Sequence, residues 1–342
     1  MRIVIVGGGV VGLTLWRLLH RRGIDAVLLE RGWPGGGVAR PFMLPYHGFD
    51  ALRDAGTFDA VHHVAWEVAP EAEGGPVALT AAFLEVARIL GEDVPAQYGS
   101  EVRALLRDGD RVSGVRVRGP EGEEDIPADL VVACDGLRSP VREMAGLRAD
   151  ARLAEGAHLS WISPAVIDRS FAMHYQSDGR QVGLMGWPEG SAGWWDIDRS
   201  GEEAAKAPGL PAFVAAFTAL LPPAAPALAA LTSVDQLVYR ELTILSCPRW
   251  WTPGVVLIGD AAHFLGPEAG IGAGMGLGDA LALAQAIASH SDDADEACAD
   301  YERWRGPVVR PYEAVGAEGA RIVRGGRRPP GERWPPPRGE VD

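Results

Sequence analysis

The chain opens on an apolar run, Ile3-Val4-Ile5-Val6, that breaks into glycines and resumes with helical spacing from about Val10 to Arg22. Gly23 stops that helix, and Ala26 to Glu30 reads as a second buried strand, so the start is strand, glycine turn, helix, strand. From Ala78 to Leu90 the pattern is helical. Glu101 to Leu106 and Arg111 to Val117 alternate as strands around the turn Asp108-Gly109-Asp110, and Asp129 to Ala133 reads as a buried strand. A last buried strand, Val255 to Ile258, leads through Gly259-Asp260 into a glycine-rich loop and a long helix from about Gly274 to Ser289. Helical spacing returns near Tyr301 to Val323.

Between about Ala151 and Cys247 the character changes. Phe171 to Tyr175 and Gln181 to Trp187 read as antiparallel strands, followed by a Pro/Ala-rich helical segment. In Trp194-Trp195-Asp196-Ile197-Asp198 the alternation puts Trp195 and Ile197 on one face and Trp194 with both aspartates on the other. Trp161, Trp187, Met173 and Tyr175 add to an apolar lining; the simplest reading of any one of them is ordinary sheet core. The Arg/Pro/Gly-rich tail from Gly325 lacks the apolar residues to build a core and is expected to be a loose terminus.

Composition narrows the chemistry. The 342 residues are 47% hydrophobic and 23% charged, as in a soluble globular protein, and at about 150 residues per domain they suit two domains or one with an insertion. A net charge of -14 argues against a nucleic-acid partner, whose binding draws on clustered cations. Lys206 is the only lysine and lies in a polar Pro/Gly-flanked stretch, which removes a Walker A loop and a pyridoxal Schiff base. Cys134, Cys247 and Cys298 are odd in number and far apart, suiting neither a disulfide framework nor a zinc cluster. The histidines have no metal-ligand spacing, so no metal is expected. The first apolar run is too short for a signal-peptide core, and the uncharged stretch Ala207 to Val234 is broken by prolines; a cytoplasmic protein without membrane insertion is expected.

Three segments carry chemistry. Gly7-Gly8-Gly9-Val10-Val11-Gly12 is a G-x-G-x-x-G between strand and helix, with Glu30 ending the next strand. The first glycine serves the tight turn, the second lets backbone approach a pyrophosphate, the third allows close helix packing, and Glu30 accepts from a ribose hydroxyl. Cys134-Asp135-Gly136 runs into Ser139-Pro140, an N-cap followed by proline at the first helical position. Leu257-Ile258-Gly259-Asp260-Ala261-Ala262-His263 continues through Pro267, Gly270, Gly272 and Gly274 to Asp279-Ala280, where so many glycines let backbone amides approach a flat ligand.

In this order the three segments resemble the class A flavoprotein monooxygenases, the aromatic-hydroxylase family with the para-hydroxybenzoate hydroxylase fold, over roughly residues 1 to 320. The resemblance implies an α/β protein: a discontinuous Rossmann-like FAD-binding domain over 1–150 and 248–292, an inserted, mostly antiparallel β-sheet substrate domain over 151–247, a C-terminal helix in 293–324 and a disordered tail over 325–342. It implies FAD held by Gly7, Gly8, Gly9, Val10, Val11 and Gly12, with Glu30 on the adenosine ribose, Arg31 near the adenosine end, and Arg40 toward the pyrophosphate. Asp135 maps to the motif associated with FAD and NAD(P)H, Gly259-Asp260 to the ribityl region, and Pro267, Gly270, Ile271 and Gly272 to the loop beside the ring. Family members often carry an arginine at the start of the helix that here begins Ala78-Leu79-Thr80, and an acid where Gly278 precedes Asp279; this chain has neither.

The function implied is an FAD-dependent monooxygenase. NADH or NADPH, as transient reductant, reduces FAD, molecular oxygen adds at the flavin C4a, and the hydroperoxide hydroxylates or epoxidises an apolar organic small molecule, aromatic or polyketide-like, as in secondary metabolism. An oxidase, dehydrogenase or reductase on the same fold, or a flavin-binding protein without turnover, are the alternatives. A monomer or homodimer is expected. No catalytic residue is assigned: His47 can approach the substrate side of the flavin, His263 has a backbone or turn role rather than a catalytic one, and His62-His63 reads as a solvated pair in a loop or strand edge.

Overall fold

The computed structural model describes residues 1–32, 41–68, 78–168, 171–178, 180–266 and 270–322. The chain divides into two compact units, one of Met1–Ala65, Ala81–Arg152 and Thr243–Gly316, the other of Trp66–Thr80, Leu153–Leu242 and Ala317–Asp342.

The first unit is built on a six-stranded sheet in the order Trp251–Thr252, Val255–Leu257, Leu130–Ala133, Ile3–Val6, Ala26–Glu30, Gln97–Tyr98. All pairings but the first are parallel, with Ile3 opposite both Leu130 and Ala26. Every residue of Ile3–Val6 and Leu130–Ala133 is buried, which is why these strands read as unbroken apolar runs rather than alternations: a parallel sheet is covered on both faces. The helix after the first strand spans Val10–His20 and buries Leu13, Leu15, Leu18 and Leu19. The long helix spans Gly272–Ser289 and packs against it. A C-terminal helix runs from Ala294 to Ile322. A smaller antiparallel sheet joins Glu101–Asp108, Arg111–Gly119 and Gly122–Pro127, with Gly109 at φ 58° in the first hairpin turn. Its third strand was not foreseen, because Gly122–Pro127 places Ile126 and the terminal Pro127 beside a run of acidic side chains and shows no alternation.

The second unit holds antiparallel strands in the order Phe171–Tyr175, Gln181–Trp187, Gly190–Asp198, Asp150–Ser163 and Val238–Ser246, the last two entering from the first unit or running on into it. Two glycines here are seats for indoles. A β-carbon built on Gly183 would lie 2.0 Å from the Trp194 ring, and one on Gly193 would lie 2.4 Å from Trp161. The expected alternation holds: Trp195 packs with Phe213 and Phe217 of the helix Leu210–Leu220, while Trp194 lies on the other face beside His158 and Phe171. Trp161 is 1% exposed within the same core, and Tyr175 is exposed, so these aromatics are sheet core and surface.

Two expectations are corrected. Ala78–Ala82 is a strand, paired with Trp66–Val68, and the helix begins only at Phe83. Its first four residues are buried on both faces, so apolar side chains are consecutive and mimic a helical run, while Thr80 Oγ1 donates to the Gly186 carbonyl at 2.7 Å. His62 and His63 close a helix, Phe58–His63, with His62 stacked on Phe58, rather than lying in a loop. No helix among the described residues is long and apolar enough to cross a membrane.

Replacing Gly193 by alanine pushes a methyl into the Trp161 seat and is expected to lower unfolding free energy by about 1–3 kcal/mol, read from urea denaturation. An unchanged midpoint would contradict the seating.

Candidate functional site

Three adjacent parallel strands, Ile3–Val6, Leu130–Ala133 and Val255–Leu257, each end in a glycine-bearing turn, so the turns meet at one edge of the sheet. Carboxyl ends of parallel strands are where α/β sheets bind ligands. In the first turn Gly7 has φ 111°, and a β-carbon on it would lie 2.5 Å from the Cys134 carbonyl oxygen in the second. A β-carbon on Gly12 would lie 2.0 Å from the Gly7 carbonyl. These two glycines are dictated by the protein's own packing.

Glu30 is fixed by the same turn. Its two carboxylate oxygens accept from the Gly8 amide at 2.7 Å and the Gly32 amide at 2.6 Å, and each keeps a further lone pair for a hydroxyl donor. Val10 is buried and Val11 packs against the third turn, so both present only backbone to a ligand. Arg31 is exposed just beyond the strand.

In the second turn, Ser139 caps the helix Pro140–Met144 by accepting from the Arg142 amide at 2.9 Å, as its sequence predicts. Asp135 Oδ2 accepts from the Val141 amide at 3.1 Å, while its buried Oδ1 has no hydrogen-bond partner among the described residues. Burial pushes the Asp135 carboxyl above its ordinary range, against the hydrogen bonds from Ser139 and Val141. Sequence reading missed Arg142, which is 5% exposed and donates to the Ala261 carbonyl at 2.9 Å and the Leu137 carbonyl at 3.0 Å, tying the second turn to the third.

The third turn rests on a buried carboxylate. Gly259, at φ 60°, donates its amide to Asp279 Oδ2 at 3.0 Å; His263 Nε2 lies 2.6 Å from the same oxygen, and Arg305 Nε donates to Oδ1 at 2.8 Å. Burial alone would raise the Asp279 pKa; His263 and Arg305 outweigh it and hold the carboxyl well below its ordinary range. His263 thus acts through its side chain, not merely as turn backbone. Arg305 also donates to the Met275 carbonyl at 3.1 Å, and it explains Gly278: a β-carbon there would lie 2.9 Å from the guanidinium. Nothing in the motif pattern pointed to Arg305, which lies on the C-terminal helix.

Asp260 sits half-buried in the short turn Gly259–Ala261. Gly270 has φ 61°, Ile271 buries its side chain, and the long helix begins at Gly272. Arg40 and Pro267 lie outside the described residues. His47 packs against the first turn of the long helix, its β-carbon 3.1 Å from where one on Gly274 would lie. Its Nε2 is 3.4 Å from the Tyr312 hydroxyl, and burial, helped by the Arg305 charge, lowers its pKa to about 4, which keeps the ring neutral at neutral pH.

Gly9 and Gly272 differ from the packing-dictated glycines. A β-carbon on either meets no atom within 4 Å among the described residues, and neither lies in the left-handed region, so nothing among those residues requires glycine there. Both stand at the start of helices with no side-chain cap and no acid in the first turn, leaving backbone N–H groups for an anion. Two helix starts open in this way on neighbouring turns fit an elongated, anionic dinucleotide such as FAD.

A family model described as the FAD binding domain matches residues 67–314, and one described as an NAD(P)-binding Rossmann-like domain matches residues 5–69. The chain is 28% identical over 333 residues to a 3-amino-4-hydroxybenzoate 2-monooxygenase of Streptomyces cremeus, covering 90% of this chain and 84% of that one. It is 26% identical to the aurachin C monooxygenase/isomerase of Stigmatella aurantiaca, covering 89% and 85%. In fold it matches PqsL of Pseudomonas aeruginosa, a probable FAD-dependent monooxygenase, with TM-score 0.79 at 21% identity over 94% of this chain and 96% of that one. It also matches 2-methyl-3-hydroxypyridine-5-carboxylic acid oxygenase with TM-score 0.73 at 20% identity over 94% and 91%.

The contrast between glycines is testable. Gly12→Ala is expected to lose the folded state or most of its thermal stability. Gly9→Ala is expected to keep the wild-type melting temperature in the absence of ligand yet bind FAD about tenfold or more weakly, a loss of about 1.4 kcal/mol, read by fluorescence quenching. Equal FAD affinity in Gly9→Ala and wild type would refute the open cradle.

Proposed function

The chain belongs to the FAD-binding-domain family of class A flavoprotein monooxygenases, and on that premise we propose that it uses FAD, NAD(P)H and oxygen to oxygenate an apolar aromatic small molecule. The observation that carries this reading is the pair of open glycines at two uncapped helix starts, one at each end of a row of joined turns.

Bound FAD supplies two-electron chemistry that no side chain of this protein provides. The chain's own residues bind and orient it. The Gly7–Gly12 turn and the start of Val10–His20 would take the pyrophosphate, Glu30 the adenosine ribose through its remaining lone pairs, and Asp260 the ribityl chain. Arg40, by resemblance, would reach the pyrophosphate, and Arg31 lies toward the adenosine end. Gly270, Ile271 and Gly272, with Pro267, would border the ring. Amides at the start of Gly272–Ser289 favour negative charge there, which suits a reduced, anionic ring. Asp135, with one buried oxygen still lacking a donor, would complete its hydrogen bonding with the dinucleotide or with water.

An aromatic substrate is supported by the Streptomyces cremeus relative, whose name specifies an aminohydroxybenzoate. His47, neutral and beside the first turn of the long helix, is a candidate for contact with substrate. The reading takes the protein to act in the cytoplasm.

Purified protein is expected to carry or take up FAD and to oxidise NAD(P)H slowly alone and faster with an aminohydroxybenzoate. Labelled dioxygen should appear in the product. Peroxide formed in place of labelled product would replace monooxygenation with oxidase chemistry, and failure to bind FAD would remove the redox reading altogether.

A further inference from the structure

Asp279 is a fully buried charge, and its guanidinium partner, Arg305, comes from outside the cofactor motifs. Its Oδ1 meets Arg305 Nε at 2.8 Å; its Oδ2 meets His263 Nε2 at 2.6 Å and the Gly259 amide at 3.0 Å. The Asp279 side chain is 0% exposed and that of Arg305 13% exposed, so water screens this pair little. Asp279 and Arg305 are one carboxylate and one guanidinium, balanced as a pair, with His263 a further partner of the carboxylate.

Its position gives that balance a consequence. Asp279 holds the amide of Gly259, the residue before Asp260, and Arg305 holds the Met275 carbonyl in the first turn of the helix that starts at Gly272. Gly278 leaves the room that lets the guanidinium reach in from the C-terminal helix. The pair is thus hydrogen-bonded to the backbone of both corners, and an uncompensated charge in a dry interior acts further and more strongly than one in water.

We propose that Arg305 is a positioning residue that keeps the buried Asp279 charge-balanced beneath the cofactor corner, so that the C-terminal helix sets the reduction potential of the flavin. The proposal rests on the FAD reading above. Reduction adds negative charge to the ring; an unbalanced Asp279 would oppose it, and an unbalanced Arg305 would favour it.

The test is the two-electron potential of the FAD-loaded protein in wild type, Arg305→Gln, Asp279→Asn and the double variant, measured by dye-coupled reduction. Arg305→Gln is expected to shift the reduction equilibrium about tenfold toward oxidised flavin, about 30 mV lower for a two-electron couple. Asp279→Asn is expected to shift it the opposite way, and the double variant to return close to wild type. Arg305→Lys keeps the charge without the two-pronged grip, so its potential should stay near wild type while the melting temperature of the flavin-free protein falls. Shifts of one sign in both single variants, or none, would overturn the proposal, since loosened packing has no reason to change sign with charge. If Arg305→Gln does not fold, Asp279→Asn against Arg305→Lys decides it: equal potentials in those two would also overturn it. A wild-type protein that binds no FAD would instead overturn the cofactor reading beneath it.

Discussion

The controlling constraint is steric and lies in the backbone. Three neighbouring parallel strands must all turn away at the same edge of the sheet, and the space between their turns is too small for side chains. Gly7 and Gly12 are fixed by carbonyl oxygens that a β-carbon would strike. Val11 then wedges between Gly259 and Gly276, bringing the first helix, the third turn and the long helix into one contact. Close packing of this kind leaves two helix starts bare of side chains, and bare helix starts are what an anionic, elongated cofactor needs.

Polar groups fasten what the steric fit brings together. Arg142, almost wholly buried, bridges the second and third turns through the Ala261 and Leu137 carbonyls. Asp279 anchors the third turn to the long helix and, through Arg305, to the C-terminal helix. Buried charges are retained at a desolvation cost, so each of these is matched to several partners, and removing one partner would leave the other stranded. Trp250 packs tilted against both His263 and Tyr301, so the polar cluster is walled by aromatic rings.

The parts of the fold legible in the sequence were those where local pattern and burial agree. The glycine turn, the fully buried strands, the Ser139-Pro140 cap and the alternation around Trp195 each have a short-range cause. The misreadings share another cause. Ala78–Ala82 is buried on both faces and so carries no alternation, and Gly122–Pro127 is an exposed strand with almost no apolar residue. In the site, the motif glycines and Glu30 could be named in advance because the G-x-G-x-x-G spacing and the acid at the next strand end mark them, although Gly7 is packed against Cys134 far along the chain. Arg142 and Arg305 could not, since each works through partners far along the chain. Gly278 was visible as a departure from the family pattern, but its reason appears only once Arg305 occupies the space beside it.

The central claim is that all three turns grip one cofactor, and hydrogen exchange with and without FAD addresses it most directly. Amides of residues 7–12, 135–137 and 259–272 should all gain protection on a single FAD-binding isotherm. Protection confined to the first turn, with the other two exchanging as in the flavin-free protein, would contradict the account.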